Sequence, residues 1–141
     1  MAYIENYDEN TLVSGKGGKD TIINTAANII VAGLGGNDSV VNKDYADNVS
    51  VNGGAGNDII TNTGENSSNT TLDGDAGNDL IINNSSYVTM SGGAGNDTVS
   101  NTGSYSRANT GDGKDSIVNG GSEVTLIGGL GNDTITNTGS N

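Results

Sequence analysis

The stretch SGGAGNDTVSN, residues 91–101, returns in the same chain as NGGAGNDIITN at 52–62 and IGGLGNDTITN at 127–137. Each copy sets a lone acid behind a run of glycines. Working outward, the Asp of each Gly-rich stretch falls at 20, 38, 58, 79, 97, 115 and 133, at intervals of 18, 20, 21, 18, 18 and 18 residues. Self-similarity at such a period means stacked coils, because one short unit cannot bury its apolar face alone.

The residues after each Asp carry the coil. The second holds Ile4, Ile22, Val40, Ile60, Ile81, Val99, Ile117 and Ile135, and the fourth holds Asn6, Asn24, Asn42, Asn62, Asn83, Asn101, Asn119 and Asn137. Alternation around these columns predicts a short strand. A second strand is expected at positions nine to twelve, with Ile29/Val31, Val49/Val51, Val88/Met90 and Val124/Leu126 facing inward. Strand, turn, strand and Gly-rich turn make one coil of an all-β, parallel β-solenoid. The chain divides into a single repeat domain, 1–141, with coils 3–20, 21–38, 39–58, 59–79, 80–97, 98–115 and 116–133 and a partial coil 134–141. At a strand spacing of ~4.8 Å these coils would make a rod of roughly 35 Å. The extra residues of the two longer coils fall near Tyr45-Ala46-Asp47 and Glu65-Asn66-Ser67, away from the Gly-rich turn. The Asn column is expected to be structural, a ladder of stacked amides bonded to one another along the rod.

Composition agrees with a solenoid. There is no Trp, Phe or Pro, there are 24 Gly, and the formal net charge is -12. A proline would remove a ladder hydrogen bond in any coil it entered. Low apolar content and high charge would ordinarily suggest disorder, but a disordered chain has no reason to space its Ile and Val regularly. The absence of Cys excludes disulfides and thiolate metal sites. No stretch is apolar enough to span a membrane, and no signal-peptide pattern opens the chain. The acidic balance argues against a nucleic-acid partner.

Chemistry is expected at the Gly-rich turn. The residue two before each Asp is Gly in all seven loops (Gly18, Gly36, Gly56, Gly77, Gly95, Gly113, Gly131), as a turn that needs φ > 0 demands. Such a turn can aim backbone carbonyls inward, with the Asp carboxylate closing it. Hard oxygen donors suit Ca²⁺, whereas the lack of His and Cys disfavours transition metals. Like charges about 5 Å apart repel by on the order of a kcal/mol or more, and a divalent cation between each stacked pair would turn repulsion into a bond. Seven loops leave six gaps, and six Ca²⁺ would bring +12 against the formal -12.

GGAGNDTVS at 92–100 matches residue for residue the nonapeptide G-G-x-G-x-D-x-U-x, as do 53–61 and 128–136. In these motifs, over essentially its whole length, the chain resembles the repeats-in-toxin calcium-binding proteins. The resemblance implies a right-handed parallel β-roll, in bacterial proteins secreted unfolded and folded by extracellular calcium. It implies as metal ligands Asp20, Asp38, Asp58, Asp79, Asp97, Asp115 and Asp133, joined by loop carbonyls. Here the second turn reads NTGS or NGGSE, so calcium should line one edge only, a layout more similar to the solenoid repeats of large bacterial surface adhesins. The ice-binding members carry Thr where this chain has Gly17, Gly35, Ala55, Ala76, Ala94, Asp112 and Leu130, so ice binding is not expected. Loops one (GKGGKD, 15–20) and six (TGDGKD, 110–115) put Lys in place of Asn, and Thr110 replaces the first Gly. Weaker sites are expected there.

The expected function is a calcium-rigidified stalk or adhesin segment of a secreted or cell-surface bacterial protein. One alternative is a filament subunit that associates with itself end to end. Another is a solenoid face for ice or carbohydrate, where Tyr87 and Tyr105 share a position in adjacent coils and could stack. No enzyme is expected, since the chain has no His, a single Arg107, and no Lys outside the loop motifs except Lys43.

Overall fold

A coil with about four apolar side chains gains stability only by lying against the next, so its strands pair between coils. The computed structural model describes residues 1–64 and 67–140, and shows that pairing in fifteen strands. The first strands of the coils are β1 (Tyr3–Asn6), β3 (Thr21–Asn24), β5 (Ser39–Asn42), β7 (Ile59–Asn62), β9 (Leu80–Asn83), β11 (Thr98–Asn101), β13 (Ser116–Asn119) and β15 (Thr134–Asn137). The second strands are β2 (Leu12–Ser14), β4 (Ile30–Ala32), β6 (Ser50–Ala55), β8 (Thr71–Ala76), β10 (Thr89–Ala94), β12 (Arg107–Gly113) and β14 (Thr125–Gly131). Odd strands form one sheet and even strands the other, each in sequential order and wholly parallel. The chain is therefore a β-solenoid of about seven turns, and no α-helix occurs among the described residues.

Register follows the repeat. Ile4 faces Ile22, which faces Val40, and the series continues through Ile60, Ile81, Val99, Ile117 and Ile135. Ile22, Val40, Ile60, Ile81, Val99 and Ile117 are buried, and they share one core with Val31, Val51, Leu72, Met90 and Ala108 of the other sheet and with Ile29, Val49 and Val88 just before its strands. Each large aliphatic side chain so buried contributes about 1.5–3 kcal/mol. The interior between the sheets is this narrow strip, with a polar column at each edge.

The even strands differ from the expected positions nine to twelve. β6, β8 and β10 have six residues and β12 and β14 seven, all running into the Gly-rich segment, whereas β2 and β4 have three. Extended backbone continues wherever the neighbour's glycine run pairs in register, as Gly54, Asp75, Gly93, Gly111 and Gly129 do. The inserted residues of coil 39–58 lie in the second turn, where the Asp47 carboxylate accepts bonds from the Ser68 N–H (2.6 Å) and hydroxyl (2.9 Å) of the next coil. Of the second predicted insertion, Glu65 and Asn66 lie outside the described residues.

Candidate functional site

Two columns of polar side chains are buried at the two edges of the strip. At one edge the amide of each Asn donates Nδ2–H to Oδ1 of the Asn one coil on, from Asn6 to Asn137, at 2.7–2.9 Å. The other Nδ2 hydrogen of Asn24, Asn83, Asn101 and Asn119 goes to the carbonyl two residues ahead, at 2.7–2.8 Å. Oδ1 of Asn24, Asn83 and Asn119 also accepts an N–H from that residue. Both amide hydrogens and the oxygen are used, which makes this edge the expected structural ladder.

The opposite edge holds the predicted site residues. Asp20, Asp38, Asp58, Asp79, Asp97 and Asp115 are at most 3 % exposed, and Asp133 is half-buried. The carboxylates turn inward, and the backbone N–H of each Asp donates to Oδ1 of the Asp one coil on, at 2.7–3.0 Å from Asp20 to Asp133. Successive loops are thus bonded to each other directly at one oxygen. The second oxygen has no such partner: Oδ2 of Asp38, Asp58, Asp79, Asp97 and Asp115 is buried and accepts no hydrogen bond.

Those of Asp38, Asp58, Asp79 and Asp97 lie over the glycine five residues before the Asp, and at Asp115 that position is Thr110. A Cβ built on Gly53 would fall 2.5 Å from Asp58 Oδ2 and 2.9 Å from the carbonyl oxygen of Gly74 in the next coil. At Gly92 it would meet Asp97 Oδ2 and the Thr110 carbonyl, both at 2.5 Å. The same pairing of a carboxylate oxygen with a carbonyl of the following coil recurs at Gly33 and Gly74. Glycine here lets the carboxylate oxygen and the carbonyl of the following coil converge on one point, a small oxygen-lined cradle with no space for a side chain. Among the described residues no three His, Cys, Asp or Glu side chains converge on one point, so any cation would rest on the carboxylates together with backbone carbonyls.

Burial without a partner moves the proton equilibria. Burial pushes Asp38, Asp58 and Asp97 above the ordinary carboxylate value and Asp79 up to about 6, against the opposing N–H bond from the preceding coil. Asp20 moves the other way, held low by the Lys16 N–H that donates to its Oδ2 at 2.5 Å, with the Ala2 N–H on Oδ1 adding to the effect.

The end loops have their own geometry. The residue four before the Asp has φ > 0 in six loops, at Leu34, Gly54, Asp75, Gly93, Gly111 and Gly129, but not at Lys16. In loop six, Thr110 stands where other loops have glycine, and its hydroxyl donates to the Gly128 carbonyl at 2.9 Å. The predicted φ > 0 two residues before the Asp is present in all seven loops.

Sequence reasoning missed a third ladder. The Asn preceding the Asp at 37, 57, 78 and 96 accepts at Oδ1 the backbone N–H of the equivalent residue one coil later, from Asn57 N–H to Asn37 through to Lys114 N–H to Asn96. Its signal was the Asn recurring at 37, 57, 78, 96 and 132. On the Asn edge, Tyr87 and Tyr105 do stack, with ring centroids 5.2 Å apart and planes 9° from parallel.

The chain matches no protein-family model. No curated protein matches it, and no solved structure does.

Proposed function

We propose that this protein is a calcium-binding structural solenoid, folded and rigidified by Ca²⁺, serving as a stalk or adhesin segment at a bacterial surface or in a secreted protein. The observation that carries the reading is the row of five buried Asp Oδ2 atoms without partners. An unsatisfied buried polar atom costs about 1–3 kcal/mol, more when charged, and five of them rival the 5–15 kcal/mol stability of a typical domain. At neutral pH a cation held between loops would relieve those it reaches.

The donor set fits Ca²⁺, which takes carboxylate and carbonyl oxygens in flexible geometry and uses no nitrogen or sulfur here. Asp38, Asp58, Asp79 and Asp97 would hold it with carbonyls of the following coil. Bound calcium supplies positive charge between loops and cross-links them. Its role on this reading is mechanical. The resemblance to repeats-in-toxin motifs and adhesin repeats supports the placement outside the cell.

Far-UV circular dichroism of the chelated chain during a Ca²⁺ titration tests this. β signal that grows with calcium supports the reading. A chain fully β in excess chelator and indifferent to added calcium would overturn it.

A further inference from the structure

The seven Gly-rich turns share a motif but not a backbone. Where φ is positive four residues before the Asp, the Asp Oδ2 is unpartnered if buried, as at Asp38, Asp58, Asp79, Asp97 and Asp115. In loop one Lys16 lacks positive φ and its N–H caps Asp20 Oδ2. The two forms differ as a peptide flip would make them differ: rotating the unit between the fifth and fourth residues changes the sign of φ at the fourth and carries its N–H away from the carboxylate. Leu34 and Asp75 hold the open form despite their side chains, with φ of 79° and 74°, in a region that favours glycine. Loop one is the same turn closed over its own acid.

Loop six is obstructed differently. The cradle that Gly33, Gly53, Gly74 and Gly92 leave empty of side chain is filled at Thr110 by a Cβ and a hydroxyl. That hydroxyl donates to the Gly128 carbonyl, the oxygen corresponding to Gly74 and Gly92 in the earlier gaps.

We propose, resting on the calcium reading, that the backbone four residues before each Asp and the side chain five residues before it gate the column. Ca²⁺ then loads four gaps, those fed by Asp38, Asp58, Asp79 and Asp97, while Lys16 closes the first loop and Thr110 blocks the sixth. The amide of Lys16 acts here and its ammonium does not. Loading of four ions replaces the six that counting loops suggests.

Native mass spectrometry at saturating Ca²⁺ counts the ions. The unaltered chain should carry four, Lys16→Gly and Thr110→Gly five each, and the double variant six. Lys16→Ala should stay at four, because it keeps the capping N–H and gains no freedom at φ > 0. Amide hydrogen exchange gives a second readout: the Lys16 N–H should be protected both in chelator and in calcium. Six ions on the unaltered chain, an unchanged count in Lys16→Gly, or a Lys16 amide that loses protection when calcium is added would overturn the gate and leave calcium binding standing. No ions on any variant would overturn both.

Discussion

The two buried edges of the rod are built alike and finished differently. Both are columns of one short polar residue repeated every coil, and both bond each coil to the next. Along the Asn edge an amide brings donor and acceptor together, so each rung completes its neighbour. Along the Asp edge a carboxylate brings only acceptors, so one oxygen takes the neighbouring N–H and the other is left over. Buried amides can satisfy one another; buried carboxylates need a proton, a donor or a cation. The first edge is a self-contained fastening, and the second leaves one acceptor per rung unpaired.

The comparison breaks most violently if the chemistries are exchanged on the Asn side. Asn83→Asp would remove the donors to Asn101 and to the Ser85 carbonyl and add a buried charge. A loss of about 4 kcal/mol is expected in urea unfolding with calcium present. A loss under about 1 kcal/mol, the size of a surface effect, would mean that the amide ladder is not what holds this edge.

Next in size is the pH response of the chelated chain. Asp79 has its carboxyl raised from 3.8 to about 6 in the fold, so the folded state holds the proton more tightly than the unfolded state does. The stabilisation is fully present below the unfolded value and is lost as pH rises through about 6, by about 3 kcal/mol for a shift of this size. Asp38, Asp58 and Asp97 shift in the same direction and add to it. Melting temperature in chelator should fall between roughly pH 4 and 7, the window of these shifts, and calcium should flatten the curve. A melting temperature that rises across that window would contradict the burial of charge described for this edge.

A smaller effect sharpens the contrast. Asp79→Asn keeps an oxygen for the Asp58 N–H and puts an amide donor beside the Gly92 carbonyl. It converts one rung of the Asp edge into the chemistry of the other edge. In chelator at neutral pH the variant should be more stable by about 2 kcal/mol, and its stabilisation by calcium should shrink, both read from thermal melts.

Much of this was legible because a repeat reveals which residues share a column. The Ile and Asn columns, the strand pairs and the seven glycines with φ > 0 all follow from spacing and residue type. What spacing does not carry is the orientation of a peptide unit. Lys16 and Leu34 occupy equivalent positions, yet one N–H caps a carboxylate and the other backbone has turned over. Nor does a column say how a side chain divides its oxygens. The Asp column was read as charges awaiting ions between them, while the direct N–H bond at Oδ1 and the cradle over Gly53 depend on rotations that glycine-rich sequence does not encode. The surface Asn ladder was visible in the repeat, but a residue beside a conspicuous acid is easily taken for turn chemistry.

The unequal lengths of the even strands bear on how such a rod carries a load. Hydrogen bonds between coils lie along the long axis, so each interface is a set of springs in parallel and successive interfaces are springs in series. Tension is then equal at every interface, and failure begins at the weakest. β2 and β4 meet over three residue pairs, whereas β12 and β14 meet over six. β4 and β6 also meet over three pairs, so by this count of springs a pull along the axis concentrates yielding among the first three coils, and the long-stranded coils near the other end extend last.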